Sequence, residues 1–153
     1  MSEDWRFQSF HDLSGADVYA VLALRSAVFV VEQNCVFLDP DGADQAALHW
    51  LAWSAAGRLD GYLRLLLPDA DRAGPQIGRV VTDPAVRGTG LGRRLMQAAI
   101  NQTHQLWPQQ TIELSAQLRL EKFYASLGFR RQGTRYLEDG IPHIKMCFAS
   151  PEP

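Results

Sequence analysis

The sequence predicts an α/β fold of mixed character, a mostly antiparallel sheet that holds one central βαβ unit. Three observations carry this. Short runs with apolar alternation or β-branched residues recur from the first residues to about Phe148. Helical apolar spacing interrupts them after the first run and again on either side of residues 111–115. Most neighbouring runs are joined by turns, but those at 77–83 and 111–115 are separated by a helix-length segment, as a parallel crossover requires.

Trp5, Arg6, Phe7 and Gln8 alternate as in a strand. Asp12 or Ser14 then stands where a helix cap is needed, ahead of Val18, Val21, Leu22, Arg25 and Phe29 at helical spacing. Arg25 falls on the rim of that stripe. The LDPDGAD stretch, Leu38 to Asp44, has turn chemistry, and its aspartates read as a solvated acidic loop. ALHWLAW at 47–53 and GYLRLLL at 61–67 flank SAAGRLD, whose Gly57 supplies the turn of a hairpin. IGRVVTD at 77–83 is a short β-branched strand. After a glycine loop, Leu91, Leu95, Met96, Ala99 and Ile100 give a helix that runs toward Pro108. TIELS at 111–115 is the next strand, and Leu120, Phe123, Tyr124 and Leu127 trace a short helix ended by Gly128. A hairpin with arms 129–137 and 141–148, turning at Glu138-Asp139-Gly140, closes the chain.

With 153 residues, 46% hydrophobic and 21% charged, the chain has one core's worth of apolar residues. Residues 1–149 are expected to form a single domain and 150–153 a loose tail. A net charge of -2 gives no general attraction to nucleic acid, and neither a signal peptide nor a membrane-spanning run is visible, so a cytoplasmic protein is expected. Cys35 and Cys147 lack paired spacing, the histidines lie in separate elements, and no metal is expected.

The chemistry concentrates in Arg87-Gly88-Thr89-Gly90-Leu91-Gly92, between a strand and an amphipathic helix. Glycines there expose the free amides of the first helical turn, where the positive end of the helix dipole attracts an anion. Arg87, Arg93 and Arg94 add positive charge. The loop lacks the G-K-[ST] of a Walker motif, and Arg93 stands where a dinucleotide fingerprint needs its third glycine. A glycine-rich turn serving only chain reversal has the same composition.

R-G-T-G-L-G resembles the (Q/R)-x-x-G-x-(G/A) loop of the GNAT acyltransferase superfamily. EKFYASLGF, Glu121 to Phe129, resembles the helix that carries that family's acid, and RSAVFVVEQNC (from Arg25), IGRV and EDGIPHIKM (from Glu138) resemble its ElaA-like branch. The resemblance covers nearly the whole chain. It implies a twisted GNAT-like sheet with helices on both faces and an N-acetyltransferase that uses acetyl-CoA, without a metal, on a small-molecule or peptide amine.

In that scheme acetyl-CoA lies between strands 77–83 and 111–115, with backbone contacts at Val80 and Val81. Its pyrophosphate rests on Arg87, Gly88, Thr89, Gly90, Leu91, Gly92 and Arg93, and Tyr124 protonates the leaving thiolate. From spacing alone core packing is the favoured reading of Tyr124, and the resemblance reverses it. Glu32, His49, Glu113 and His143 are the candidate bases. Glu32, Gln33 and His143 are assigned to the acceptor side, and Glu32 is the first choice there, although a solvated surface carboxylate fits its position equally. Two alternatives share this fold: a synthase resembling those of acyl-homoserine lactones, suggested by Arg25, Val28 and Phe29, and a non-catalytic acyl-CoA-binding regulator. Edge strands in the last hairpin allow a homodimer.

Overall fold

The computed structural model describes residues 3–149, so the expected tail at 150–153 lies outside the described residues. Strands β1 (Asp4–Ser9), β2 (Leu48–Trp53), β3 (Leu59–Leu66), β4 (Gln76–Thr82), β5 (Ile112–Gln117), β6 (Arg130–Arg131), β7 (Tyr136–Glu138) and β8 (Ile141–Phe148) form one sheet. Its order is β1-β2-β3-β4-β5-β8-β6, and β7 also pairs with β8. All pairings are antiparallel except β4 with β5.

Helix α1 (Gly15–Arg25) starts at Ser14, whose hydroxyl accepts from the Asp17 amide while the Asp17 carboxylate accepts from the Ser14 amide. It continues as a π-helical stretch, Ser26–Glu32. Val21, Leu24 and Val28 pack on one face of the sheet against Leu51, Tyr62 and Val81. Helices α2 (Leu91–Leu106) and α3 (Glu121–Ser126) cover the opposite face, where Leu95, Met96, Ala99 and Tyr124 meet Leu63, Leu65, Ile77, Leu114 and Ile144.

Ile77 and Val81 are four apart on one strand, yet they belong to opposite cores. A regular strand would put both on the same side. The cause is a bulge: Val81 lies opposite Tyr62 and Gly78 opposite Arg64, leaving Arg79 and Val80 to share the place facing Leu63.

Three local expectations change. The first arm of the last hairpin is broken into β6 and β7, with Gly133 in the left-handed region between them. The turn tightens to Asp139-Gly140, both at positive φ, as a two-residue hairpin of this hand requires. β5 runs on to Gln117.

The acidic loop is not a solvated one, and Arg25 is not on a rim. Arg25 is fully buried, with Nε donating to Asp39 Oδ2 at 2.7 Å and Nη1 to Asp44 Oδ1 at 2.8 Å. Arg64 donates to Asp41 at 2.8 and 2.5 Å and to Asp44 at 3.0 Å. Apolar periodicity misjudges such an arginine because its partners lie far along the chain, and only their charge makes burial tolerable. Beside them, Tyr62 donates to His49 Nδ1 at 2.7 Å, and His49 Nε2–H donates to the Asp44 carbonyl at 2.9 Å. Burial holds His49 below its ordinary pKa.

Hydrogen bonds from Arg64 hold the Asp41 carboxyl well below the usual range. At Asp44 burial opposes ionisation but is outweighed by the hydrogen bonds and charges of Arg25 and Arg64. Because both groups titrate lower folded than unfolded, their stabilisation is full above about pH 4 and is lost as the pH falls through the depressed folded values. Thermal unfolding should therefore show a midpoint that drops below about pH 4, and Asp41→Asn should lower the neutral-pH midpoint while flattening that drop.

Candidate active site

β4 and β5 are parallel but register at a single pair, Gln76 with Glu113, supported by Glu113 N–H donating to the Pro75 carbonyl at 2.9 Å. Beyond it the strands part. The opening is a cleft of about 530 Å³, within the range of small-molecule sites. Its walls are β4 and β5, the π-helical stretch roofs it, the glycine loop stands at one end, and α3 borders it.

At the loop end, Gly88 and Gly90 have φ of 79° and 86°, and a side chain added at either would meet only open space. Gly90 caps α2, and the first intrahelical bond is Arg94 N–H to its carbonyl, so the amides of Leu91, Gly92 and Arg93 have no helical acceptor. A helix of 16 residues with no acid in its first turn stands behind them. This cradle fits a phosphate group. Arg87, Gly88, Gly90, Leu91, Gly92 and Arg93 all line the cleft. Thr89 does not, since its hydroxyl turns back to the Val86 carbonyl at 2.6 Å. Arg94 also points elsewhere, pairing with Glu3 at 2.6 Å.

Val80 and Val81 line the middle of the cleft, and Val80 is one of the two bulge residues without a register partner on β3. Tyr124 lies at the same cleft, 7% exposed, with Phe123 and Phe129 edge-on to its ring. Its hydroxyl has no hydrogen-bond partner among the described residues. Burial pushes its pKa up to about 12, against the opposing charge of Arg119. Packing and exposure to the cleft thus coincide in this residue.

Glu32, Gln33 and His143 also reach the cleft. Glu32 pairs with Arg87 at 2.8 Å, tying the roof to the glycine loop. Gln117 Nε2 donates to Gln33 Oε1 at 3.1 Å, and Cys35 Sγ–H donates to the Asp139 carbonyl at 3.2 Å, so the roof is bound to β5 and to the last turn as well. His143 has both ring nitrogens close to oxygens, Nδ1 at 2.7 Å from the Ile141 carbonyl and Nε2 at 3.2 Å from the Glu138 carboxylate. His49 is in the buried network, and Glu113 sits where the strands still meet, paired with Lys145 at 3.5 Å; neither lines the cleft.

Ser115, Gln117, Arg79, Arg119 and Phe37 also line the cleft, beyond the site residues that the sequence points to. The first two were legible in principle, as the polar positions alternating with Leu114 and Ala116 on the crossover strand. Arg79 and Phe37 depend on the bulge and on a loop without periodicity. Among the described residues no group of three or more His, Cys, Asp or Glu could hold a metal ion, and no helix is long and apolar enough to cross a membrane.

A family model described as an acetyltransferase (GNAT) domain matches residues 37–149. The chain belongs to the GNAT acetyltransferase family. Protein ElaA of Escherichia coli is 41% identical over 146 residues, covering 94% of this chain and 95% of ElaA. The crystal structure of E. coli ElaA superposes with a TM-score of 0.88, at 39% identity, over 96% of this chain and 99% of that one. An acyl-CoA N-acyltransferase from Pseudomonas aeruginosa superposes with a TM-score of 0.91, at 43% identity, over 97% of this chain and all of that chain. The GNAT fold of this chain is that of an acyltransferase, in the branch that includes ElaA.

Gly128 ends the helix that carries Tyr124, at φ 108°, and a Cβ there would stand 2.5 Å from the Phe148 ring. Gly128→Ala should lower the unfolding free energy by about 2 kcal/mol through backbone strain and ring displacement, measurable by urea denaturation.

Proposed function

We propose that this GNAT protein is an acetyl-CoA-dependent N-acetyltransferase that acts on a primary amine. The observation that carries the reading is that one cleft joins the amide cradle at the start of α2 to the bulged strand β4 and to the hydroxyl of Tyr124. Phosphate recognition, carbonyl polarisation and a proton donor are the groups that acyl transfer from a thioester needs.

Acetyl-CoA supplies the activated acetyl group. The loop from Arg87 to Gly92, with Arg93, holds its pyrophosphate. A backbone N–H at Val80 or Val81 donates to the thioester oxygen, where negative charge grows as the amine nitrogen bonds to the carbonyl carbon. Glu32, with Gln33 and His143 on the acceptor side, draws in the cationic amine and takes its proton directly or through water. Tyr124 gives its hydroxyl proton to the sulfur as the C–S bond breaks, and solvent restores it. Its raised pKa keeps the hydroxyl protonated throughout the neutral range. The high identity to an acyl-CoA N-acyltransferase supports the acyl donor class.

Tyr124→Phe, which keeps the ring, should lower kcat about a hundredfold to ten-thousandfold while acetyl-CoA affinity stays within about twofold. Full activity in a folded variant, measured against an accepted amine at saturating acetyl-CoA, would remove Tyr124 from the mechanism. Gly90→Asp adds a negative charge inside the phosphate cradle and a side chain at positive φ. It should weaken acetyl-CoA binding at least about tenfold by calorimetry, whereas unchanged affinity would move the donor site elsewhere.

A further inference from the structure

The bulge in β4 is strained as well as extended by one residue. Arg79 has φ 50°, a conformation that costs a non-glycine residue energy and that persists only where its surroundings impose it. Those surroundings are unusually complete. The guanidinium lies against the rings of Phe29 and Phe37, at 5.6 and 5.8 Å from their centroids. Arg79 Nε is 3.1 Å from Asp39 Oδ1. The contact is one of charge, because neither of these buried atoms has an aligned hydrogen bond. Asp39 is itself only 2% exposed and is fixed from behind by Arg25, which also binds Asp44. A continuous line of charges thus runs from the interior of the protein to the cleft wall and ends on the residue that distorts β4.

We propose that Arg79 is a positioning residue: its side chain, gripped by Asp39, Phe29 and Phe37, holds the bulge in the conformation that turns the Val80 amide toward the cleft. This rests on the acetyltransferase reading only in assigning that amide to the thioester oxygen. The strut itself is a property of the fold. Without it the backbone at residue 79 relaxes to negative φ, the amide direction changes, and oxyanion stabilisation falls. The phosphate cradle lies past the end of β4 and retains its grip on the donor.

The test compares wild type with Arg79→Ala, Arg79→Lys and Phe37→Leu, using acetyl-CoA as probe and any amine the wild type acetylates. Arg79→Ala should lower kcat at least about tenfold with acetyl-CoA affinity within about twofold, and Arg79→Lys should recover part of the loss. Independently of activity, the HN–Hα coupling of residue 79 and the amide shift of Val80, read by NMR, should change in Arg79→Ala and move in the same sense in Phe37→Leu. If Arg79→Ala does not fold, Phe37→Leu decides the matter by the same two readouts. Unchanged coupling and amide shift would overturn the strut. A changed coupling with unchanged kcat would overturn its bearing on catalysis, and so would a loss confined to the acceptor KM. A wild type that acetylates no amine in a broad library would instead count against the acetyltransferase reading, leaving the NMR result to judge the strut alone.

Discussion

Parallel strands that stay bonded along their length leave no room between them, and the site in this protein exists because β4 and β5 do not. They meet at Gln76 and Glu113 and then diverge, so backbone groups that a closed sheet would satisfy instead line a cleft. The separation must be held open by other elements. β4 stays attached to β3, β5 stays attached to β8, and the helices on the two faces fill what would otherwise be a gap in the sheet. The cleft therefore inherits its width from the two antiparallel halves of the sheet and from the core packed beneath each.

The buried ions work on the same structure from the other side. Three aspartates on one irregular loop meet Arg25 from α1, Arg64 from β3 and Arg79 from β4. A loop without regular hydrogen bonding thereby becomes a rigid part of the cleft wall. Ionic groups suit this task because their geometry is directional and their partners are few, whereas an apolar loop of equal length could settle in several ways. The cost is desolvation, and it is met here by giving most of the charges more than one partner.

How much could be read from the residues alone follows from the range of the interactions involved. Strand and helix positions rest on local periodicity, and the glycine loop on local backbone freedom, so both were legible in Leu91 to Ile100 and in Arg87 to Gly92. Tyr124 was ambiguous because the stripe that buries it is also the one that borders the cleft. The burial of Arg25 was invisible, since it requires Asp39 and Asp44 to fold back over α1. The bulge at Arg79 left only a faint mark, the adjacent valines 80 and 81 where strict alternation would have separated them. The break at Gly133 shows the same limit on a small scale: both pieces pair with β8, and only the register tells where one stops.

The shift of phase in β4 also bears on how this chain can change over evolutionary time. Upstream of the bulge the odd-numbered Ile77 serves the core beneath α2, and downstream the odd-numbered Val81 serves the core beneath α1. Losing one residue at that point would only straighten the strand: Arg79 and Val80 share one place, so Val81 would remain opposite Tyr62 and in its own core. An exchange of the two faces would follow instead if the bulge closed at unchanged length, which would send Val81 toward the core beneath α2. The packing of both cores therefore tolerates a one-residue gap at the bulge that the cleft wall does not, since the residue lost is the extra one that stands there.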